Sequence, residues 1–177
     1  MYSKLAYLFD VPFNRIIKQP ILLVVALIVT NLIHGQVIYD GSGGGYFNGN
    51  IIGKVSGSNF YNGSGKKIGK VTGNYLSSTW GNCVVYDASG RKIGSINADD
   101  IYNSAGSKIG QMNCLDGGND DTYFLDGRGR KMGTLSRVLY NSKGKETRII
   151  RDYSNSVIGT TEGLSRKEVI VFFYFFM

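Results

Sequence analysis

Hydrophobic and polar residues alternate over short stretches of residues 36–160, and no helical period is found there. The segment "YDASGRKIGSI", which begins at Tyr86, is typical: alternating residues stand on each side of a cluster of Asp, Ser and Gly. Alternation with a period of two is typical of strands with one buried face, and such clusters mark turns. The pattern therefore predicts many short β-strands joined by tight turns.

This segment recurs along the chain. The residues that precede successive turns are Phe47, Tyr61, Tyr86, Tyr102, Leu125 and Tyr140. Alternate members of the series are 38–41 residues apart. A fixed spacing of this size is the sequence signature of a repeated structural unit. We interpret the unit as a pair of hairpins in three copies, with partial copies at Tyr39 and Tyr153.

Two residue types define each turn. Asp or Asn comes first, where its short side chain can accept a backbone hydrogen bond, at Asp87, Asn103, Asp126 and Asn141. Three residues later comes a glycine that can adopt the left-handed conformation: Gly90, Gly106, Gly129 and Gly144. A type I turn followed by such a residue is a common three-residue hairpin loop. At Phe47 and Tyr153 we expect a turn that is two residues shorter.

A Lys-Ile-Gly or Lys-Met-Gly triplet follows the turn in four copies, as in Lys67-Ile68-Gly69, and an apolar residue stands two positions further on. Ile68 and Val71 are three residues apart, so regular alternation would place them on opposite faces of the strand. We therefore predict a β-bulge at this glycine, or a close approach of another backbone.

The first 35 residues differ in character from the rest. Three basic residues precede residues 21–33, which are almost entirely apolar, and "HGQ" follows. This order is typical of a secretory signal peptide, and we place cleavage after Gly35. A membrane anchor is the alternative, but a spanning helix needs roughly 20 apolar residues. We expect a signal peptide at 1–35 and one exported β-domain at 36–177, without a transmembrane anchor, in the periplasm, at the cell surface or secreted.

The last nine residues, from Val169 to Met177, are all apolar. A helix of this length is too short to span a bilayer. Outer-membrane barrels also end in an aromatic strand, but their strands need about 9–11 residues and these hairpins predict shorter ones. We expect residues 169–177 to form a last strand, buried on both faces, in the centre of the repeats.

The hairpins with the pattern Y-[DN]-x-x-G-x-K-[IM]-G, the signal peptide and the Phe-rich tail after "GLSRKE" resemble the exported bacterial proteins described as five-fold β-flower proteins. The resemblance covers nearly all of residues 36–177. It implies an all-β fold of tandem β-hairpin repeats in a closed, pseudo-symmetric, five-fold arrangement. It implies no established activity, and no functional residues follow from it.

Residues 36–177 contain no histidine, since His34 lies in the leader. This absence excludes histidine-based acid–base catalysis, Ser-His-Asp triads and histidine metal ligands from the domain. Two acidic pairs, Asp99-Asp100 and Asp120-Asp121, stand where we predict solvated turns rather than a catalytic cleft. The segment 116–121 lacks the spacing of a known calcium loop. We expect no enzyme activity, no cofactor and no metal site.

The two cysteines, Cys83 and Cys114, leave two alternatives open: a single disulfide bond after export, or two buried free thiols. Three of the 20 Lys and Arg and one of the 13 Asp and Glu lie in the leader, so the domain carries an excess of five positive charges. This modest excess permits binding to acidic glycans without requiring it.

The candidate binding residues are the four lysines that follow the turns: Lys67, Lys92, Lys108 and Lys131. Because they share one position in the repeat, we expect a ring of lysines on one face, with Arg91, Arg128 and Arg130 close by. One interpretation is an anion-binding rim for glycan phosphate or lipopolysaccharide. The other, which we favour, is that charge beside a turn protects an exposed strand edge from pairing with another chain.

The recurring tyrosines also have two interpretations, a stripe on which sugars stack or a ring of core contacts, and the second is favoured. Taken together, the sequence predicts an exported, non-enzymatic module of the cell envelope that binds a glycan or a protein. The alternative is a structural, self-associating envelope domain without a small-molecule ligand. Export and the modest charge argue against nucleic acid as a partner.

Overall fold

The computed structural model describes residues 36–41, 49–73, 81–114 and 121–177. The predicted signal peptide (1–35) and Phe47 lie outside the described residues. The strands are β1 (Val37–Asp40), β2 (Ile51–Ser56), β3 (Asn59–Asn62), β4 (Lys67–Gly73), β5 (Cys83–Asp87), β6 (Lys92–Asn97), β7 (Asp100–Asn103), β8 (Lys108–Cys114), β9 (Thr122–Asp126), β10 (Lys131–Leu135), β11 (Leu139–Tyr140), β12 (Glu146–Asp152) and β13 (Val157–Glu162). The helix is α1 (Arg166–Phe175).

The strands form one closed antiparallel sheet. Each strand from β1 to β10 pairs with the next, β10 pairs with β12, β12 with β13, and β13 with β1. Twelve strands therefore close into a barrel. The short strand β11 pairs with the beginning of β12 and extends β10 beyond the barrel. The all-β prediction is confirmed in this form.

Six strand pairs make up the barrel: β1–β2, β3–β4, β5–β6, β7–β8, β9–β10 and β12–β13. Because neighbouring strands are antiparallel, the five described turns within these pairs, from β3–β4 to β12–β13, lie at one end of the barrel, which we call the hairpin end. The described strands thus repeat a hairpin six times, and a five-fold arrangement is not shown.

The bulge predicted at the Lys-Ile-Gly triplet is confirmed. In β6, Lys92 pairs with Tyr86 and Gly94 pairs with Val85, so Ile93 is the extra residue. Each hairpin has such a shift, and in each the glycine pairs with a fully buried residue of the preceding strand: Ile38–Gly53, Phe60–Gly69, Val85–Gly94, Ile101–Gly110, Phe124–Gly133 and Ile150–Gly159. The bulge places the glycine and the residue two positions later on the inner face.

The predicted turn chemistry is also confirmed. In the β5–β6 turn, the Asp87 side chain accepts hydrogen bonds from the backbone N–H groups of Ser89 (2.9 Å) and Arg91 (3.0 Å). Gly90 has φ +86° and donates its N–H to the Asp87 carbonyl (3.1 Å). This is a type I turn followed by a left-handed residue.

Two assignments of turns were wrong. The turn at Tyr153 is not shorter: it runs from Asp152 to Ser156 like the others, with Asn155 at φ +71° in place of the glycine. The turn after Tyr140 has the predicted chemistry but joins β11 to β12, at the end of the barrel opposite the hairpin end. The hairpins of the barrel are therefore not arranged as three copies of a two-hairpin unit, which is what the spacing of the turns had predicted.

Helix α1 lies inside the barrel, where the sequence predicted a strand. Val169, Ile170 and Val171 are completely buried, and Phe172 is nearly so. A helix that is apolar on all sides requires such a position. Short apolar runs do not distinguish a buried strand from a buried helix. Within the described residues, no helix is long and apolar enough to cross a membrane.

A capping box starts the helix. The Ser165 hydroxyl accepts the Glu168 N–H (3.3 Å), and the Glu168 carboxylate accepts the Ser165 N–H (2.7 Å). The S-x-x-E pattern directly before the apolar run was the sequence signal for this helix. The Gln36 side-chain amide also donates to Glu168 (3.2 Å), which connects the helix start to β1.

Aromatic side chains of the helix, and of Phe176 directly after it, lie over glycines of the sheet. A Cβ at Gly53 would overlap the ring of Phe172, and the same holds for the pairs Gly69–Phe176, Gly94–Phe175 and Gly110–Tyr174. On the inner face these positions are therefore glycine because a side chain there would overlap an aromatic ring.

The glycines of the turns have a different cause. No atom lies within 4 Å of an added Cβ at Gly65, Gly90, Gly106 or Gly129, so glycine is favoured at these positions by the positive φ angle of the backbone.

One side chain fixes the helix to two strands by hydrogen bonds. The Tyr174 hydroxyl lies 2.8 Å from the carbonyl oxygen of Leu125 and 3.0 Å from that of Gln111, and it accepts the Leu125 N–H (3.1 Å). Burial raises the pKa of Tyr174 to about 12. The Phe173 ring stacks on Phe124 at 4.2 Å beside it.

Substitution of Gly53 tests the contact between sheet and helix. Gly53→Ala should lower the free energy of unfolding by roughly 1–3 kcal/mol, because a methyl group must displace the Phe172 ring. In the double variant with Phe172→Leu, the loss should be smaller than the sum of the two single losses, by about 1 kcal/mol or more. Urea denaturation of all four proteins measures this coupling, and strictly additive losses would contradict the contact.

Tyr174 should make stability depend on pH in the alkaline range. Its pKa is higher in the folded protein than the value of about 10 in the unfolded chain. The stabilisation is therefore complete below pH 10 and is lost as the pH rises towards 12. Tyr174→Phe should make this part of the decline disappear in denaturation at pH 9–11.5. Tyr153→Phe, at an exposed tyrosine, should retain it, and equal curves for both variants would refute the assignment.

Candidate binding surface

The four lysines predicted from the repeat are all exposed, and each begins a strand: Lys67 in β4, Lys92 in β6, Lys108 in β8 and Lys131 in β10. They lie near the hairpin end, on every second strand. In the other two hairpins the corresponding residues are Ile51 and Val157, opposite Tyr39 and Arg151. The lysines thus form about half a ring around the barrel and not a complete one.

The edge-protection interpretation of these lysines is wrong for this fold. Each of the strands β4, β6, β8 and β10 pairs with a strand on both sides. A closed sheet leaves no row of unpaired backbone groups there for another chain to pair with. The lysines therefore need a different explanation.

The four lysines differ in their surroundings. Lys108 donates to Asp100 (2.6 Å) and to Gln111 (3.1 Å), so its charge is compensated. The Lys131 ammonium lies 4.9 Å from the centre of the Tyr123 ring. Among the described residues, neither Lys67 nor Lys92 has a carboxylate within salt-bridge distance. These two are the lysines most able to meet an external anion.

The tyrosines are not a core ring, contrary to the favoured interpretation. Tyr61 and Tyr86 follow the buried residues Phe60 and Val85, and are only partly buried. Because successive strand residues point to opposite faces, these tyrosines lie on the outside of the barrel. Tyr140 and Tyr153 are 68% and 76% exposed and lie outside this repeat position.

On the outer face, Tyr61 and Tyr86 each lie between two lysines on the neighbouring strands. Tyr61 pairs with Lys54 and Lys67, and Tyr86 pairs with Lys70 and Lys92. The Lys70 ammonium lies 5.4 Å from the centre of the Tyr86 ring. We call these six residues the lysine–tyrosine surface. It covers β2 to β6, and the outer lysines of each row are about 10 Å apart, two strand spacings.

Lys54 and Lys70 were missed from the sequence. Both follow the bulge glycine, in "GKV", whereas the other copies read "GSI", "GQM", "GTL" and "GTT". The sequence signal for these two lysines is therefore a difference between copies of the repeat and not a residue that the copies share.

Two of the three arginines expected beside the lysines are paired within their own turns, and Arg128 is exposed. Arg91 contacts Asp87 (3.2 Å), and Arg130 contacts Asp126 (2.7 Å). Both arginine side chains are largely exposed, at 81% and 73%. Exposed pairs of this kind contribute little to stability. Their role is local, since they hold the turn aspartates in place.

The remaining candidate residues have structural roles in the part of the chain that the structure describes. Asp99 is exposed in the β6–β7 turn, and Asp121 accepts the Arg137 N–H (2.9 Å). Asp120 and the rest of segment 116–120 lie outside the described residues. In the described ranges no three His, Cys, Asp or Glu residues are placed to hold a metal ion. Cys83 is a buried free thiol, and burial raises its pKa.

Comparisons of the chain with protein-family models, with curated proteins and with solved structures gave no match. The surface described above must therefore be interpreted from its own chemistry.

The aspartates of the turns provide a test by acid titration. The Ser89 hydroxyl (2.6 Å), with the N–H groups of Arg91 and Ser89, holds the pKa of Asp87 below its ordinary value of 3.8. A lowered pKa favours the folded state above the ordinary value, and this effect is lost as the pH falls through the lowered value. Ser89→Ala should raise the pKa of Asp87 in a carboxyl NMR titration. Asp126, which is held mainly by the Arg130 N–H, should not change; an unchanged Asp87 would contradict the assignment.

Proposed function

We propose that this protein is an exported, non-enzymatic module of the cell envelope that binds an acidic glycan on the lysine–tyrosine surface. The observation that carries the proposal is the arrangement of two rows in which an outward-facing, partly buried tyrosine lies between two lysines. Arg91 beside this surface is already paired with Asp87.

The chemistry of the surface fits an acidic sugar better than a neutral one. A lysine ammonium attracts the carboxylate or phosphate groups of a polysaccharide, and a tyrosine ring offers a flat apolar face to the C–H groups of a sugar ring. Two adjacent rows allow one extended chain to contact Lys67 and Lys92 together. Lys131 is four strands away from Lys92 on the barrel, so it would contact a different part of the ligand.

Other parts of the proposal rest on the sequence. The leader at 1–35 supports export, and the absence of histidine from residues 36–177 supports a role without acid–base catalysis. The resemblance to five-fold β-flower proteins supports an exported hairpin-repeat protein and adds no activity. The outer surface is also the part of the barrel that is free to vary, since the inner face is filled.

Binding to polygalacturonate, with dextran as the neutral polysaccharide, tests the proposal. Isothermal titration calorimetry should detect binding of polygalacturonate that weakens with added salt. Lys67→Ala combined with Lys92→Ala should weaken it about tenfold or more, since each lost charge contact costs up to about 1 kcal/mol. Tyr86→Phe should retain the affinity, because the aromatic face remains, whereas Tyr86→Ala should reduce it.

The matched control combines Arg128→Ala with Lys143→Ala, which removes two exposed charges elsewhere. This variant should bind polygalacturonate as the unmodified protein does. An equal loss in both double variants would mean that only net charge matters and would refute a specific surface. Equal affinity for dextran, or for poly(dT), would overturn the acidic-glycan assignment, and no binding at all would favour a structural domain.

A further inference from the structure

A polar pair on β12 and β13 lies in the interior of the barrel. Arg148 lies two residues before Ile150 on β12, so it points inward, and its side chain is only 7% exposed. Thr161 pairs with it on β13, lies two residues after Gly159 and is completely buried. The two side chains therefore share one level of the interior.

The repeat does not require this pair. At the position of Thr161 the other five hairpins have apolar residues: Val55, Val71, Ile96, Met112 and Leu135. At the position of Arg148 they have uncharged side chains or a turn residue: Gln36, Ser58, Cys83, Asp99 and Thr122. Five copies close the barrel without a buried guanidinium. A departure from the repeat at a buried position is therefore a candidate for function.

Both side chains have polar atoms without a hydrogen bond. One terminal nitrogen of Arg148 donates to the Ser136 carbonyl (3.3 Å), but its Nε has no partner among the described residues. The Thr161 hydroxyl has none either. An unsatisfied buried polar group destabilises the folded state, and more strongly when it is charged. A ligand that accepts hydrogen bonds from both groups would remove this cost.

The surrounding charges favour an anion. Arg166 in the first turn of α1 is a like charge that acts on Arg148. Glu146 is the acidic group that acts on Arg148, and Glu168 is already bound to Ser165 and Gln36. The positive end of the helix dipole lies at this first turn and also favours an anion.

We propose that the Arg148 guanidinium and the Thr161 hydroxyl, beside the first turn of α1, bind a small inorganic oxyanion of the phosphate type. The site lies inside the barrel and is independent of the lysine–tyrosine surface. The bound anion would compensate the charge of Arg148 beside the first turn of α1, and its binding would therefore stabilise the folded protein.

Thermal unfolding of the full chain tests the site, with sodium phosphate added at constant ionic strength and sodium chloride as the background salt. A ligand that binds only the folded state raises the melting temperature in a saturable way. We expect such a rise, and we expect Arg148→Met to abolish it. Arg151→Met is the control, because Arg151 is on the same strand but is only partly buried, and it should retain the response.

Thr161→Val provides a second variant in case Arg148→Met does not fold. Valine is the residue at this position in two other hairpins, so the barrel should accept it. The variant should need at least several-fold more phosphate for the same rise in melting temperature. A protein with no saturable response to phosphate, or a response unchanged in Arg148→Met or Thr161→Val, would overturn the proposal. An altered glycan affinity with an unchanged phosphate response would concern the outer surface alone.

Discussion

The structure depends on the contact between the glycines of the bulges and the aromatic rings of α1. A barrel of twelve strands encloses more space than its own side chains can fill, since about eight strands is the size at which side chains alone suffice. The helix fills the remaining space. Four of the six bulge glycines lie directly against the rings of α1 or the ring of Phe176 that follows it: Gly53, Gly69, Gly94 and Gly110. A side chain at these positions would push the sheet away from the helix and leave the interior poorly packed.

The features that the sequence predicted correctly are local. The turn at Asp87 and the bulge at Gly94 each follow from a few adjacent residues, because the Asp side chain and the backbone requirements of glycine act over short distances. The number of hairpins in the barrel is not local. It depends on where β13 meets β1, and no single segment contains that information. The turn at Asn141 shows the limit, since its chemistry is that of the other turns but its place in the barrel is different.

The errors at the C-terminal segment and at the tyrosines have distinct causes. Residues 169–177 carry no period that separates helix from strand, and only Ser165 and Glu168 marked the helix. Tyr86 was assigned to the core because it recurs, yet the recurring core residue is its neighbour Val85. The β-bulge is the reason for this error, because it changes which residues of a strand share a face. Whether Tyr86 points inward or outward can be determined only when its pairing with Lys92 is known.

Comparison of the copies within this one chain separates two kinds of residue. A residue that all hairpins share, such as the bulge glycine, is explained by the packing of the barrel and carries no information about a ligand. A residue in which one copy differs at a buried position cannot be explained in this way. Arg148 and Thr161 are such residues, since the other copies close the same sheet without a buried charge at these two positions. Lys54 and Lys70 are the corresponding case on the outer face, where packing places little restriction on the side chain. Packing of the barrel therefore does not account for the lysine–tyrosine surface or for the Arg148–Thr161 pair, and these two features are the ones on which the two binding proposals rest.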